Sequence, residues 1–152
     1  MSAARPLTPA PTPIDKKIIA QEFAARAKGK LEPEKIDSIT RSLVAQTTAY
    51  PATGSVASMI FYLKFQVNVT GGESFNGNAG GISTPGGGAL FGDVYTDNLP
   101  NLYANTVSFE FQGTNVYLSI LFFDGNSNLL GHFQAGAVST VTGIGGGSGH
   151  WS

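Results

Sequence analysis

The stretch MIFYLKFQVNV, residues 59–69, decides the fold. Met59, Phe61, Leu63, Phe65, Val67 and Val69 share one parity, and Tyr62, Lys64, Gln66 and Asn68 hold the other. This is the period-two pattern of a long strand with one buried face. The alternation returns in Val107, Phe109 and Phe111 against Ser108, Glu110 and Gln112, and again in Leu118, Ile120 and Phe122. Gly71-Gly72, Pro85 to Gly88, Gln112 to Asn115 and Asp124-Gly125 punctuate these runs as turns. One possible helical turn, Asp97 to Tyr103, lies among the strands, so an antiparallel barrel or sandwich is favoured over any α/β arrangement. Glycines within SFNGNAGGIS and HFQAGAVSTVTGIGGG would weaken an open sheet but suit the curvature and bulges of a small closed barrel. The expected core is therefore a closed antiparallel barrel of about eight strands.

Composition narrows the function classes. Hydrophobic residues make up 41% of the 152 and charged ones 12%, with no cysteine and a net charge of −1. No run of ~18 uncharged apolar residues exists, which excludes a transmembrane helix. The missing cysteine removes disulfides, thiolate metal sites and cysteine nucleophiles together. A slightly negative chain lacks the basic excess that phosphate binding requires, so no nucleic-acid partner is expected.

The charge is divided unevenly. Residues 1–50 hold eight of the nine Lys and Arg against five acids, a balance of +3. Residues 51–152 hold Lys64 alone against five acids, a balance of −4, and 19 of the 20 glycines. The break predicts three parts: a Pro-rich disordered tail over 1–13, a helical hairpin over 14–50 and the barrel over 51–152. The tail, MSAARPLTPAPTP, has no apolar core segment and is not read as a secretory signal peptide. Thr12 as N-cap, Pro13 and Asp15 fit a helix start, Ile14, Ile18, Ile19 and Phe23 fall at helical spacing, and Gly29 ends the segment. A second helix starts at Leu31-Glu32-Pro33 and carries Ile36, Ile39, Leu43 and Val44 on one face. Helices this short are marginal alone, so the stripe must cover the sheet, pack on its twin, or serve as a docking, delivery or dimerisation element.

Three strings then stand out in order: FNGNAGGISTPGGGALFGDVYTDNLPNLYANTVSFEF (75–111), YLSILFFD (117–124) and LLGHFQAGAVSTVTGIGGGSGHW (129–151). Together they resemble the virulence-associated protein (Vap) family of pathogenic rhodococci, with coverage from about Met59 to Trp151. The resemblance implies an eight-stranded antiparallel barrel with Greek-key character, tightly filled and without an internal ligand cavity, behind a variable N-terminal segment. It also implies a secreted protein, or one delivered to a host, that acts on phagosomal or endolysosomal membranes without enzymatic activity. A cytoplasmic location is the alternative. Two departures from the family pattern are the missing signal peptide and the helical character of the N-terminal region.

No catalytic or cofactor site is expected from the residues. His132 and His150 are the only histidines, no nucleophile elbow is present, and no His or Cys spacing suits a metal. Asp124 to Asn128 begins like a calcium loop but places Leu129 where the sharp turn needs Gly, and Ala135 where a bidentate Glu is needed. Gly143 to Gly149 lacks the Lys and following helix of a phosphate cradle, and reads as a bent strand or loose end. Asp93, Asp97 and Glu110 show no spacing that demands a glycosidase pair.

Aromatic density in a weakly charged domain remains. Leu121-Phe122-Phe123 and Leu90-Phe91 put apolar side chains on both faces of one strand, and in a single-layer barrel one of each must face outward. Phe91, Tyr95, Tyr103, Leu121, Phe123 and Trp151 are the candidate membrane or partner surface, with His132 and His150 as candidate pH-sensing groups. The expected partner is membrane lipid or a host protein, with a possible protein partner for the N-terminal helices. A carbohydrate- or small-ligand-binding β module, or an assembly component docking through those helices, are the alternative functions.

Overall fold

In the computed structural model, residues 16–46, 48–114, 116–136 and 141–152 are described. The expected tail over 1–13 and the helix start at Thr12, Pro13, Ile14 and Asp15 lie outside them. Two helices, α1 (Lys16–Ala27) and α2 (Pro33–Ala45), precede β1 (Ala49–Ser58), β2 (Tyr62–Val69), β3 (Ser74–Ser83) and β4 (Gly86–Tyr95). A short α3 (Leu99–Asn105) comes next, then β5 (Ser108–Gly113), β6 (Tyr117–Phe123), β7 (Leu129–Gly136) and β8 (Gly143–Trp151). The strands close in the order β1-β2-β3-β8-β5-β6-β7-β4, and every neighbouring pair is antiparallel. Within this ring β4-β1-β2-β3 and β8-β5-β6-β7 are each a Greek key, the fourth strand returning to the side of the first. Closure leaves no free sheet edge.

The interior is packed with rings. Phe65, Phe75, Phe109, Phe111, Phe122 and Phe133 are fully buried, and Phe75 meets Phe109, Phe122 and Trp151 at centroid separations of 5.3, 4.9 and 5.5 Å. Edge-to-face and tilted contacts of this kind add to the area term. Space for the rings comes from glycines on β3 and β8. A Cβ on Gly77 would sit 2.6 Å from the Phe109 ring and 2.7 Å from that of Phe75, and one on Gly145 would sit 2.8 Å from Phe111. The string Gly143 to Gly149 is thus neither a loose end nor a cradle but a strand paired on both sides, with β3 and β5.

Local signals place the helices. Gly29 takes φ +82°, a left-handed stop for α1, and Pro33 opens α2 where its missing N–H costs nothing. The buried stripe of α1 is Ile19, Ala20, Phe23 and Ala27, while Ile18, expected on it, is exposed. Asn98 caps α3 by accepting from the Asn101 amide at 3.1 Å, and α3 drops Leu102 into the barrel mouth, where it is fully buried. Two strand readings are corrected. β2 begins at Tyr62, so Met59 and Phe61 lie outside the buried face, and Val107 is exposed ahead of β5.

The glycine fit predicts a contrast along one strand. Gly77→Ala, which collides with two phenyl rings, should lower unfolding stability by about 3 kcal/mol. Gly80→Ala, where a Cβ meets nothing within 4 Å, should leave the urea midpoint unchanged or slightly raised.

Candidate functional site

Four connections gather at one end of the barrel, because Ser58 pairs with Gly86, Ser83 and Gly113 pair with Gly143, and Tyr117 pairs with Gly136. Their sequences, 58–62, 83–86, 113–117 and 136–143, contain no charged residue. At the opposite end, the connections carry Glu73, Asp97 and Asp124. The barrel is therefore polarised end to end.

The uncharged end projects an apolar tip. Met59 is 77% exposed, Phe61 69% and Tyr62 51%, with Ile60 and Val116 also exposed; Ile144, exposed as well, lies beside Arg26 and Lys30 of the helical hairpin. Hydrogen bonds tie the tip together. The Ser58 and Ser83 hydroxyls share a 2.6 Å hydrogen bond, Ile60 N donates to Ser58 Oγ, and Ser83 N and Oγ both donate to the Ile60 carbonyl. Met59 N donates to the Tyr62 carbonyl at 2.8 Å. Ile60 adopts φ +78°, a left-handed conformation that a β-branched residue takes only under constraint. The chain thus satisfies its amides internally while turning large apolar side chains outward, the arrangement that a hydrocarbon boundary tolerates. Tyr62 Oη donates to Asn78 Oδ1 at 2.7 Å, and Lys64, the one cation of residues 51–152, comes next on the same outward parity of β2.

On the side wall, the helical hairpin covers β5, β6 and β7. Ile19, Phe23, Ile39 and Leu43 pack on Tyr117, Leu121, Phe123 and Leu129. The Glu22 carboxylate accepts from Tyr117 Oη at 2.8 Å and from Gln112 Nε2; burial first, then this carboxylate, pushes the Tyr117 hydroxyl above its usual range. Lys35 Nζ donates to Asn128 Oδ1 at 2.8 Å, tying α2 to the β6–β7 turn. There, Asp124 accepts from the amides of Asn126 and Asn128. Its slight burial raises its pKa, but these hydrogen bonds and Lys35 outweigh that and hold it below the ordinary value.

The candidates named from sequence scatter. Leu121 and Phe123 do face outward but are buried beneath the hairpin, and Trp151 is buried against Phe75, Phe122 and Tyr103, so none of these three is a free surface. Tyr103 is half-buried beside Trp151 and accepts from the Glu73 amide. Tyr95 is half-buried, stacked on His132 at 5.0 Å and overlaid by the Lys16 ammonium. Phe91 alone is exposed, mid-wall on β4 opposite Thr53 and away from the tip. His150 is exposed on β8 opposite Asn76. His132 is wholly buried, and desolvation, with the Lys16 charge in support, pushes its pKa down to about 3 despite its bond to the Leu43 carbonyl. The neutral ring is thus favoured while the hairpin covers it. Among the described residues, no three His, Asp or Glu side chains converge as a metal site, and no helix is long and apolar enough to cross a membrane.

Period-two alternation from Met59 conceals the tip, because Met59 and Phe61 share the parity of the buried Leu63 and Phe65. The available signal was Ile60, an apolar residue on the polar parity, which makes 59–62 a continuous apolar run that no single strand face can bury.

The family model described as Rhodococcus equi virulence-associated protein matches residues 10–152. The chain belongs to that family. Two similar solved structures are those of VapD and VapB from the intracellular pathogen Rhodococcus equi. VapD is 39% identical with a TM-score of 0.67, covering 69% of this chain and 97% of its own. VapB is 47% identical with a TM-score of 0.66, covering 69% and 96%. A search of curated proteins gave no match. The share of this Vap chain left uncovered, about a third, is the size of the segment that precedes its barrel.

The fully buried Leu43 of the hairpin carries stability. Leu43→Ala should cost about 3 kcal/mol in urea denaturation, whereas Ile18→Ala, on the exposed face of α1, should fall within about 0.5 kcal/mol of the parent.

Proposed function

We propose that this Vap protein is a virulence effector that works without catalysis, by seating the uncharged end of its barrel on a lipid surface. The observation that carries the reading is the exposed tip Met59–Tyr62 on an end whose four connections have no charge. Met and Phe side chains reach the acyl boundary, Tyr suits the headgroup level, and Lys64 lies one step higher, where an ammonium meets phosphate. Moving the largely exposed Met59 and Phe61 out of water contributes about 1–2 kcal/mol each, enough for reversible rather than permanent attachment. The carboxylates of the other end point the negative charge away from an anionic membrane.

The relatives' descriptions as virulence-associated proteins of an intracellular pathogen support secretion or delivery to a host, with phagosomal or endolysosomal membranes as the surface met there. A filled interior disfavours a ligand-binding module of the cavity type. Docking through the N-terminal helices draws no support, since their apolar faces are already packed on the barrel.

Co-sedimentation with phosphatidylcholine vesicles containing phosphatidylserine tests the reading. The double variant Met59→Ser, Phe61→Ser should retain the parent's melting temperature, because both side chains are exposed, and lose vesicle affinity at least tenfold. Equal binding by parent and variant would reject the tip as the contact.

A further inference from the structure

The hairpin and the barrel meet over a titratable group that is buried only by their contact. His132 stands on the outward face of β7, beside Leu121 on β6 and Tyr95 on β4. It is wholly buried because α2 lies across it. Its Nε2 lies 3.2 Å from the Leu43 carbonyl, in the last turn of α2. Its Nδ1 accepts from Gln134 Nε2 at 2.9 Å, and Gln134 donates in turn to Ser119. The hydrogen bonds assign a neutral ring with its proton on Nε2.

The neighbouring elements act on that ring with both signs: burial beneath them and the Lys16 charge favour the neutral form, and the Leu43 carbonyl opposes them. α1 brings Lys16, whose ammonium donates to the Gln46 carbonyl at 2.9 Å and lies 5.0 Å from the Tyr95 ring centroid. α2 brings the Leu43 carbonyl, and the residue after its end, Gln46, lies buried nearby over Leu130. β4 brings the stacked Tyr95, with Asp93 acting on that tyrosine's hydroxyl. β6 brings Leu121, and β7 itself brings Gln134. No carboxylate hydrogen-bonds the imidazole among these contacts, and the one cation facing it belongs to the hairpin.

We propose that the N-terminal hairpin is an acid-released cover of the barrel wall, and that His132 is the group whose protonation releases it. Undocking removes α2 from above the ring and carries Lys16 away with α1, so the freed imidazole returns toward its ordinary value of 6.5 from about 3 in the docked state. The docked state therefore binds fewer protons, and its advantage, complete above 6.5, shrinks as pH falls toward 3. At pH 5 the docking equilibrium is shifted by about thirtyfold relative to pH 7.5. Release bares two apolar faces together, Ile19, Phe23, Ile39 and Leu43 on the hairpin and Leu121 and Phe123 on the wall. Glu110 acts with the opposite sign. Burial raises its pKa, Arg26 and Lys30 pull it back, and its protonation favours docking. It lies at the far end of α1 and its side chain is 42% exposed, so its effect is the smaller one.

Hydrogen exchange on the full chain, without lipid, tests this at pH 7.5 and pH 5, with protection corrected for intrinsic exchange rates. The opening constant at the α2 amides Ile39 to Leu43 should rise about thirtyfold at pH 5, while amides of β2 and β3 in the barrel keep their protection. His132→Gln, whose amide still reaches the Leu43 carbonyl but takes no proton, should abolish the rise; His132→Phe serves if the Gln variant does not fold. Glu110→Gln should leave it in place. An unchanged opening constant in the parent, an equal rise in the His132 variants, or a matching loss of protection throughout the barrel would each overturn the proposal. Because no vesicle is present, the outcome is independent of whether the tip binds lipid.

Discussion

The phenyl rings of Phe65, Phe75, Phe109, Phe111 and Phe122 fit inside one ring of eight strands only because β3 and β8 offer bare backbone where they approach. This exchange of volume shapes the rest of the molecule. Glycine at 77, 145 and 149 gives the rings room, and glycine at 92 and 147 lets neighbouring backbones come closer than any Cβ would permit. The barrel closes, edges vanish, and the interior holds side chains rather than a ligand. A barrel filled in this way has its surface left for function.

That surface is organised by two further constraints. Along the axis, apolar and uncharged connections occupy one end and the carboxylates Glu73, Asp97 and Asp124 the other. Around the wall, the outward side of β6 is largely apolar too, with Tyr117, Leu121 and Phe123 joined there by Ser119 alone, against Leu118, Ile120 and Phe122 inside. An uncovered strand of that composition would be an aggregation site. The hairpin resolves the problem by packing its apolar residues over that wall. The cover makes His132 a buried base rather than an exposed one, which links the wall to pH.

Much of this was legible in the sequence. Alternation at Phe109–Phe111 and Leu118–Phe122, the glycine turns and the Pro33 helix start are local signals, and the structure obeys them. The doubled apolar run Leu121-Phe122-Phe123 also signalled that a second layer was needed. What could not be read was which layer met which strand, since the helix stripes have no partner encoded in their own periodicity. So Leu121 and Phe123 looked exposed until α1 and α2 were placed over them. Trp151 looked like a terminal surface aromatic, although pairing of β8 with both β3 and β5 carries it into the core. The exposed tip is hidden from periodicity for the converse reason: Met59 and Phe61 obey strand parity, and only the serine-bridged hairpin geometry with Ile60 at positive φ ends the strand ahead of them.

In the function we propose, the barrel meets lipid with one defined end. Because the chain has no cysteine, single cysteines at Phe61 on the tip and at Val107 near the opposite end can each carry an environment-sensitive fluorophore. On addition of anionic vesicles, the label at 61 should shift to the blue and be quenched by lipids brominated on the acyl chain, while the label at 107 keeps its aqueous spectrum. Equal shifts at both positions, or a shift at 107 alone, would contradict the account.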